Sequence, residues 1–291
     1  MGTAWVTGAD GFLGRHVVTE LRLRNWRVDC IDRRRGKELS EDNLMELEQW
    51  PDAVVHLAGN SLISRSITHP GEDYRDSVSA TELLCKFLQD MGSGARVVFT
   101  SSAAVYGESK STEEAQPLRP VSPYGEHKAI CERVLVQSGL AVNIVRPFSV
   151  YGPGLLKQLP YELANRVLTG ESPIVLGGSG QEVRDFTYVF DLVKIICDIA
   201  TGKKYAPPVM NIGTGVPTSV REFAEVMVNV LERGTHIKFD GIKRKGNPAR
   251  MCANVERMRN HEFITKTPLW AGLNFYAQWL RARDDRSAIS A

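Results

Sequence analysis

The sequence predicts an α/β fold: a parallel sheet with helices on both faces, and a smaller α+β lobe toward the carboxyl terminus. Three observations carry this expectation. Short apolar runs recur between helix-like segments, a glycine-spaced turn follows the first run at once, and the alternation breaks down after Arg146.

Residues 3–6 (TAWV) read as the first strand, Gly8, Gly11 and Gly14 as a tight turn, and residues 12–23 as a helix with apolar side chains at helical spacing. A second strand over 28–31 ends at Asp32, and the stretch 33–36 breaks it. Further strands follow at 53–58 (AVVHLA) and 96–101 (RVVFTS), separated by helix-like sequence at 71–90. A helix over 123–137 leads to another strand at 141–146 (AVNIVR). Beyond it Pro147, Gly152, Pro153 and Gly154 interrupt the pattern, Gly177, Gly178 and Gly180 mark a loop, and 186–200 and 209–212 look like returns to the sheet. The expected division is a main domain at 1–150, to which 185–213 returns, a second lobe at 151–184 and 214–280, and a frayed polar tail at 281–291.

The 291 residues carry 36 Lys and Arg against 34 Asp and Glu, a formal charge of +2, which points to no nucleic acid or other polyanionic partner. With 43% apolar and 24% charged residues, the composition excludes a disordered, collagen-like or coiled-coil chain. No run approaches the roughly 18 apolar residues of a membrane span, and the opening MGTAWVTG lacks a signal segment, so a cytoplasmic protein without a membrane partner is expected. Val6 stands where a myristoylation signal has Ser or Thr. The five cysteines, Cys30, Cys85, Cys131, Cys197 and Cys252, are odd in number and widely spaced, and the histidines are equally scattered. A reducing compartment and no metal site are therefore expected.

Gly8, Gly11 and Gly14 lie between a strand and a helix, where backbone N–H groups and the helix dipole attract a pyrophosphate. Three glycines also make ordinary turns, so position matters more than spacing. Asp32 ends the next strand 18 residues after Gly14, near the offset at which an acid holds the adenosine ribose of NAD. Arg33, Arg34 and Arg35 leave two alternatives: a 2′-phosphate or adenine contact that would suit NADP, or a solvated charge run. Tyr124 and Lys128 share one face of a helix that Pro123 should open and Ser122 should cap, and an ammonium near a phenol favours the phenolate. Ser101 and Ser102 follow the strand RVVFT at the carboxyl end of the sheet, where a hydroxyl can polarise a substrate oxygen or simply cap a helix.

In this order the features resemble the extended short-chain dehydrogenase/reductase superfamily, in its NAD-dependent nucleotide-sugar epimerase/dehydratase branch. The segments TGADGFLG, VVHLAG, FTSSAAVYG, PVSPYGEHKAICE, VRPFSVYGPG, VRDFTYVFDL and NIGTG carry the resemblance over nearly the whole chain. It implies a Rossmann-type doubly wound parallel sheet with a small carboxyl-terminal α+β substrate-binding lobe. It also implies Ser102, Tyr124 and Lys128 as the catalytic group. Gly8, Gly11, Phe12, Leu13, Gly14, Asp32, Arg33, Leu57, Ala58, Gly59 and Ser101 would hold the dinucleotide with Tyr124 and Lys128. Ser102, Tyr124, Ser149, Arg184 and Arg244 would face a nucleotide-diphosphate sugar. Family dehydratases carry an acidic pair where this chain has Ala103 and Ala104, so 4,6-dehydration is not expected. Ser149 and Ser77 stand where the family usually has Asn.

The implied activity is an NAD-dependent nucleotide-sugar 4-epimerase acting through a transient 4-keto sugar. The alternatives are a 4-ketoreductase of a deoxy nucleotide sugar using NADH or NADPH, and a non-catalytic dinucleotide sensor. A homodimer is expected through the helix of Tyr124, with Ala129, Ile130, Val134 and Leu135 as its apolar surface.

Overall fold

The computed structural model describes residues 1–109, 112–232, 234–242 and 248–289. The chain opens with β1 (Thr3–Thr7), α1 (Phe12–Leu23), β2 (Arg27–Ile31), α2 (Glu41–Met45) and β3 (Ala53–His56). Next come α3 (Ile63–Thr68), α4 (Pro70–Tyr74), a π turn (Arg75–Ser79), α5 (Ala80–Asp90), β4 (Arg96–Thr100), α6 (Pro123–Gln137) and β5 (Ala141–Pro147). The second half holds β6 (Ser149–Tyr151), α7 (Gln158–Leu168), β7 (Ile174–Leu176), β8 (Val183–Arg184), β9 (Phe186–Tyr188), α8 (Val189–Ala200) and β10 (Val209–Ile212). It closes with β11 (Thr218–Ser219), α9 (Val220–Leu231), β12 (Ile237–Phe239), β13 (Arg250–Met251), α10 (Glu256–Asn260) and α11 (Leu269–Ile289).

Six parallel strands form the main sheet in the order β10-β5-β4-β3-β1-β2. All residues of β1 and β3 are buried, because helices cover both faces and leave no polar-out alternation. Val17, Val18 and Leu21 of α1 pack with α8 on one face, and Leu84, Leu88, Cys131 and Leu135 of α5 and α6 pack on the other. Arg24 ties α1 to α8 through the buried Asp198 carboxylate at 2.8 Å. The strand order reverses between β1 and β3, which opens a crevice at their carboxyl ends.

A second core gathers α7, α9 and α11 around the short strand pairs β6-β9 and β12-β7. Phe186 and Phe223 stack there with centroids 4.0 Å apart. α11 runs on through the polar stretch from residue 281 to Ile289. Leu280 is fully buried and Arg281 donates to the carbonyls of Val230 and Leu231, satisfying acceptors at the carboxyl end of α9. Among the described residues no helix is long and apolar enough to cross a membrane.

Candidate active site

A single cleft of about 1750 Å³ opens at the strand reversal and runs between the two lobes. Gly8, Gly11, Phe12, Leu13 and Gly14 line it at one end. Gly8 has φ +67°, and a Cβ there would meet Ala58 N at 2.9 Å. At Gly14 a Cβ would sit 2.1 Å from the Gly8 carbonyl oxygen, so any side chain would destroy the turn. Gly11 starts α1 with no side chain capping the helix, which leaves first-turn N–H groups for an anion. A dinucleotide's pyrophosphate fits this cradle. Leu57, Ala58 and Gly59 line the opposite wall after β3.

Asp32 directly follows β2 and is almost buried, its oxygens accepting from the Asp10 and Arg34 backbone N–H groups, both at 2.9 Å. A carboxylate oxygen accepts more than one hydrogen bond, so each can still take a ribose hydroxyl. The arginines resolve toward ion pairing: Arg33 pairs with Asp76 at 3.0 Å, and Arg35 with Asp10 at 2.6 Å. Arg33 also lines the cleft.

Ser101, Ser102, Tyr124 and Lys128 line the middle of the same cleft. Pro123 opens α6, and Ser122 Oγ accepts from Gly125 N at 3.2 Å, which fixes the helix start one residue before the tyrosine. Ser66 Oγ on α3 accepts from Tyr124 N at 3.0 Å. Lys128, one turn on, is buried, with Nζ donating to the Thr100 carbonyl at 3.0 Å and lying 4.8 Å from the Phe99 ring centroid. Burial drives the lysine downward, and the nearby Cys131, Asp73 and Glu132 push it back.

Burial raises Tyr124 and a hydrogen bond from Ser102 opposes this, while the Lys128 ammonium donates to the Thr100 carbonyl. Ser102 Oγ also accepts from Ala104 N at 3.1 Å. Ala103 and Ala104 line the cleft beside it and offer no acid.

Two buried networks beneath this group carry no sequence motif. Ser101 Oγ donates to Glu132, whose carboxylate is gripped by Arg146 through Nε at 2.9 Å and Nη2 at 2.6 Å. His56, fully buried, lies between Thr7 Oγ1 at 2.7 Å and Thr81 Oγ1 at 3.0 Å, and burial pushes it down to about 3. Their only signal in the sequence is a polar residue inside an apolar strand or helix face, at His56, Glu132 and Arg146.

Toward the second lobe the cleft is lined by Ser149 and Arg184. Arg184 is half-buried, which depresses its guanidinium, while Glu182 and Glu108 push it upward. Arg244 lies outside the described residues. Lys157 and Gln158, which sequence reasoning missed, reach across the cleft from the second lobe: Lys157 Nζ donates to Ser61 Oγ and Gln158 Nε2 to Ser61 O at 3.2 Å. His16 Nε2 on α1 meets Pro153 O at 2.7 Å, so the strap from 153 to 158 passes over the first turn of α1. Ser77, in the π turn, has Oγ accepting from Asn60 N at 3.3 Å. No group of three or more possible metal ligands occurs among the described residues.

A sheet of this order, a glycine cradle at its reversal point and a Ser, Tyr and Lys group in the same cleft define a dinucleotide-dependent enzyme of the short-chain type. The chain belongs to the NAD dependent epimerase/dehydratase family, matching it over residues 4–213. The UDP-glucose 4-epimerase of Caenorhabditis elegans is 28% identical, with 84% of this chain and 87% of the relative covered. A dTDP-4-dehydro-6-deoxy-D-allose reductase from a Streptomyces species is 29% identical, with 96% of both chains covered. Among solved structures, MoeE5 in complex with UDP-glucuronic acid and NAD is similar with a TM-score of 0.87 and 31% identity, covering 97% of this chain and 100% of that one.

Proposed function

We propose that the protein is an NAD-dependent nucleotide-sugar 4-epimerase. The observation that carries this reading is one continuous cleft that joins the glycine cradle and Asp32 to Ser102, Tyr124 and Lys128 and then to Arg184. Relatives and neighbours named as UDP-sugar 4-epimerases support it. The dinucleotide, when bound, supplies the acceptor and donor of hydride for the sugar C4. Tyr124, as phenolate, takes the proton of the sugar 4-hydroxyl, and Ser102 donates a hydrogen bond to that oxygen. In the return direction Tyr124 would give the proton back to the sugar O4 and restore the hydroxyl with inverted configuration. Lys128 holds the nicotinamide ribose, and Arg184 binds the sugar diphosphate with its forked guanidinium.

The test has two parts: the denatured protein is assayed for released NAD, and the native protein for interconversion of UDP-glucose with UDP-galactose and of UDP-glucuronate with UDP-galacturonate. Near-stoichiometric NAD and interconversion of either pair is the expected result. A protein that is empty as purified and consumes added NADH or NADPH on a 4-keto sugar supports instead the ketoreductase reading, which the Streptomyces relative favours.

The proposal includes a homodimer through α6 and a cytoplasmic location, the latter from the scattered, unpaired cysteines. The expected dimer surface needs revision, because Ala129 and Leu135 are buried within the protomer. Ala129 packs into one core and Leu135 into the other, and half-buried Ile130 and Val134 pack against the same core as Leu135, so that of the apolar side chains from 129 to 136 only Val136 is exposed. A monomeric mass at micromolar concentration in light scattering would count against the dimer.

A further inference from the structure

Two of the three arginines that follow Asp32 are paired with acids from other segments and the third with a backbone carbonyl, and this bears on the choice of cofactor once the cleft is read as a dinucleotide site. A 2′-phosphate at the adenosine ribose would place about two negative charges beside the Asp32 carboxylate, which only an adjacent cation could offset. Three guanidinium groups stand nearby, and each is engaged. Arg33 Nη1 and Nη2 donate to Asp76 at 3.4 and 3.0 Å. Arg34 Nη1 donates to the Asp10 carbonyl at 2.7 Å, and Arg35 donates to the Asp10 carboxylate at 2.8 and 2.6 Å.

We propose that Asp76 is a cofactor-specificity determinant: by neutralising and holding Arg33 it withholds one of the cations that could meet a 2′-phosphate, and so biases the adenosine end toward NAD. The two partners differ in freedom. The Asp76 side chain is 16% exposed on a continuous helical segment, whereas that of Arg33 is 60% exposed and can swing once its partner is removed. Arg33 and Asp76 both line the cleft, on the side of Asp32. Asp76 also lies 3.9 Å from Arg65, which pairs more closely with Glu72 at 2.9 Å, so Arg65 keeps an acidic partner when Asp76 is changed.

The experiment compares NADP with NAD on the same full-length protein by calorimetric titration, for the wild type, Asp76→Asn, and Asp76→Asn combined with Arg33→Ala. The ratio of the two dissociation constants should move toward NADP about tenfold in Asp76→Asn, as one freed charge-assisted contact would give, and return to the wild-type ratio in the double variant. An unchanged ratio in Asp76→Asn overturns the proposal. So does a shift that persists in the double variant, since it would then come from removing a negative charge rather than from freeing Arg33. General loosening of the cleft weakens both ligands and leaves the ratio where it was, which counts as the first overturning result. A wild-type protein that binds neither dinucleotide strikes the proposed function itself.

Discussion

In the proposed reaction Tyr124 would lose a proton in a place that favours keeping it. Burial raises the phenol and the Ser102 hydrogen bond opposes this, so epimerisation should climb with pH from neutral into the alkaline range as the phenolate forms. Replacing Tyr124 with Phe should lower kcat by about 10²- to 10⁴-fold while NAD remains bound, as read by turnover and by cofactor release. His56 makes the opposite kind of prediction, about stability. Its folded value of about 3 lies below the ordinary 6.5, so its contribution is fully present above pH 6.5 and is lost as pH falls toward 3. Urea unfolding at pH 7 and pH 5 should show a drop approaching about 1.4 kcal/mol per pH unit from this residue, smaller in His56→Asn.

At the scale of the element, α6 shows how much of the site the sequence discloses. Ser122, Pro123, Tyr124 and Lys128 are legible because a cap, a helix start and a four-residue spacing are local properties, and the cap occurs where expected. Glu132 lies one turn beyond Lys128 and was not legible. Its partners Ser101 and Arg146 reach it only because β4 and β5 pair in parallel under the same helix, a juxtaposition that no local pattern encodes. The strap residues Lys157 and Gln158 escaped notice for the same reason, since Ser61 is their partner only through the meeting of two lobes. The Glu132 and Arg146 side chains are 6% and 5% exposed, so Glu132→Gln leaves a buried guanidinium without its counter-charge. That substitution should cost about 3 to 5 kcal/mol in equilibrium unfolding, with loss of activity following the loss of fold.

For the molecule as a whole, a doubly wound parallel sheet could be anticipated but the order of its strands and the course of the chain between lobes could not be given in detail. Glycine and proline mark where the alternation stops, whereas the pairing of β6 with β9 and of β11 and β13 with β8 joins segments of only two or three residues, too short for any periodicity. Both lobes line the cleft, and the strap residues of the second contact Ser61 of the first, so a dinucleotide bound to the first lobe should stabilise the two together. At a free concentration 100 times its dissociation constant, NAD should raise unfolding stability by about 2.7 kcal/mol, and a thermal scan should show one cooperative transition moving upward with ligand. Two transitions, only one of them ligand-dependent, would contradict a shared site.

The strap over the first turn of α1 gives the cleft a door as well as a floor. The glycine cradle lies at the inner end, while Lys157 and Gln158 meet Ser61 across the mouth and Pro153 meets His16 beside it. A dinucleotide bound beneath the strap should therefore dissociate faster when the Lys157 contact is removed by Lys157→Ala, a change in residence time that stopped-flow release would read.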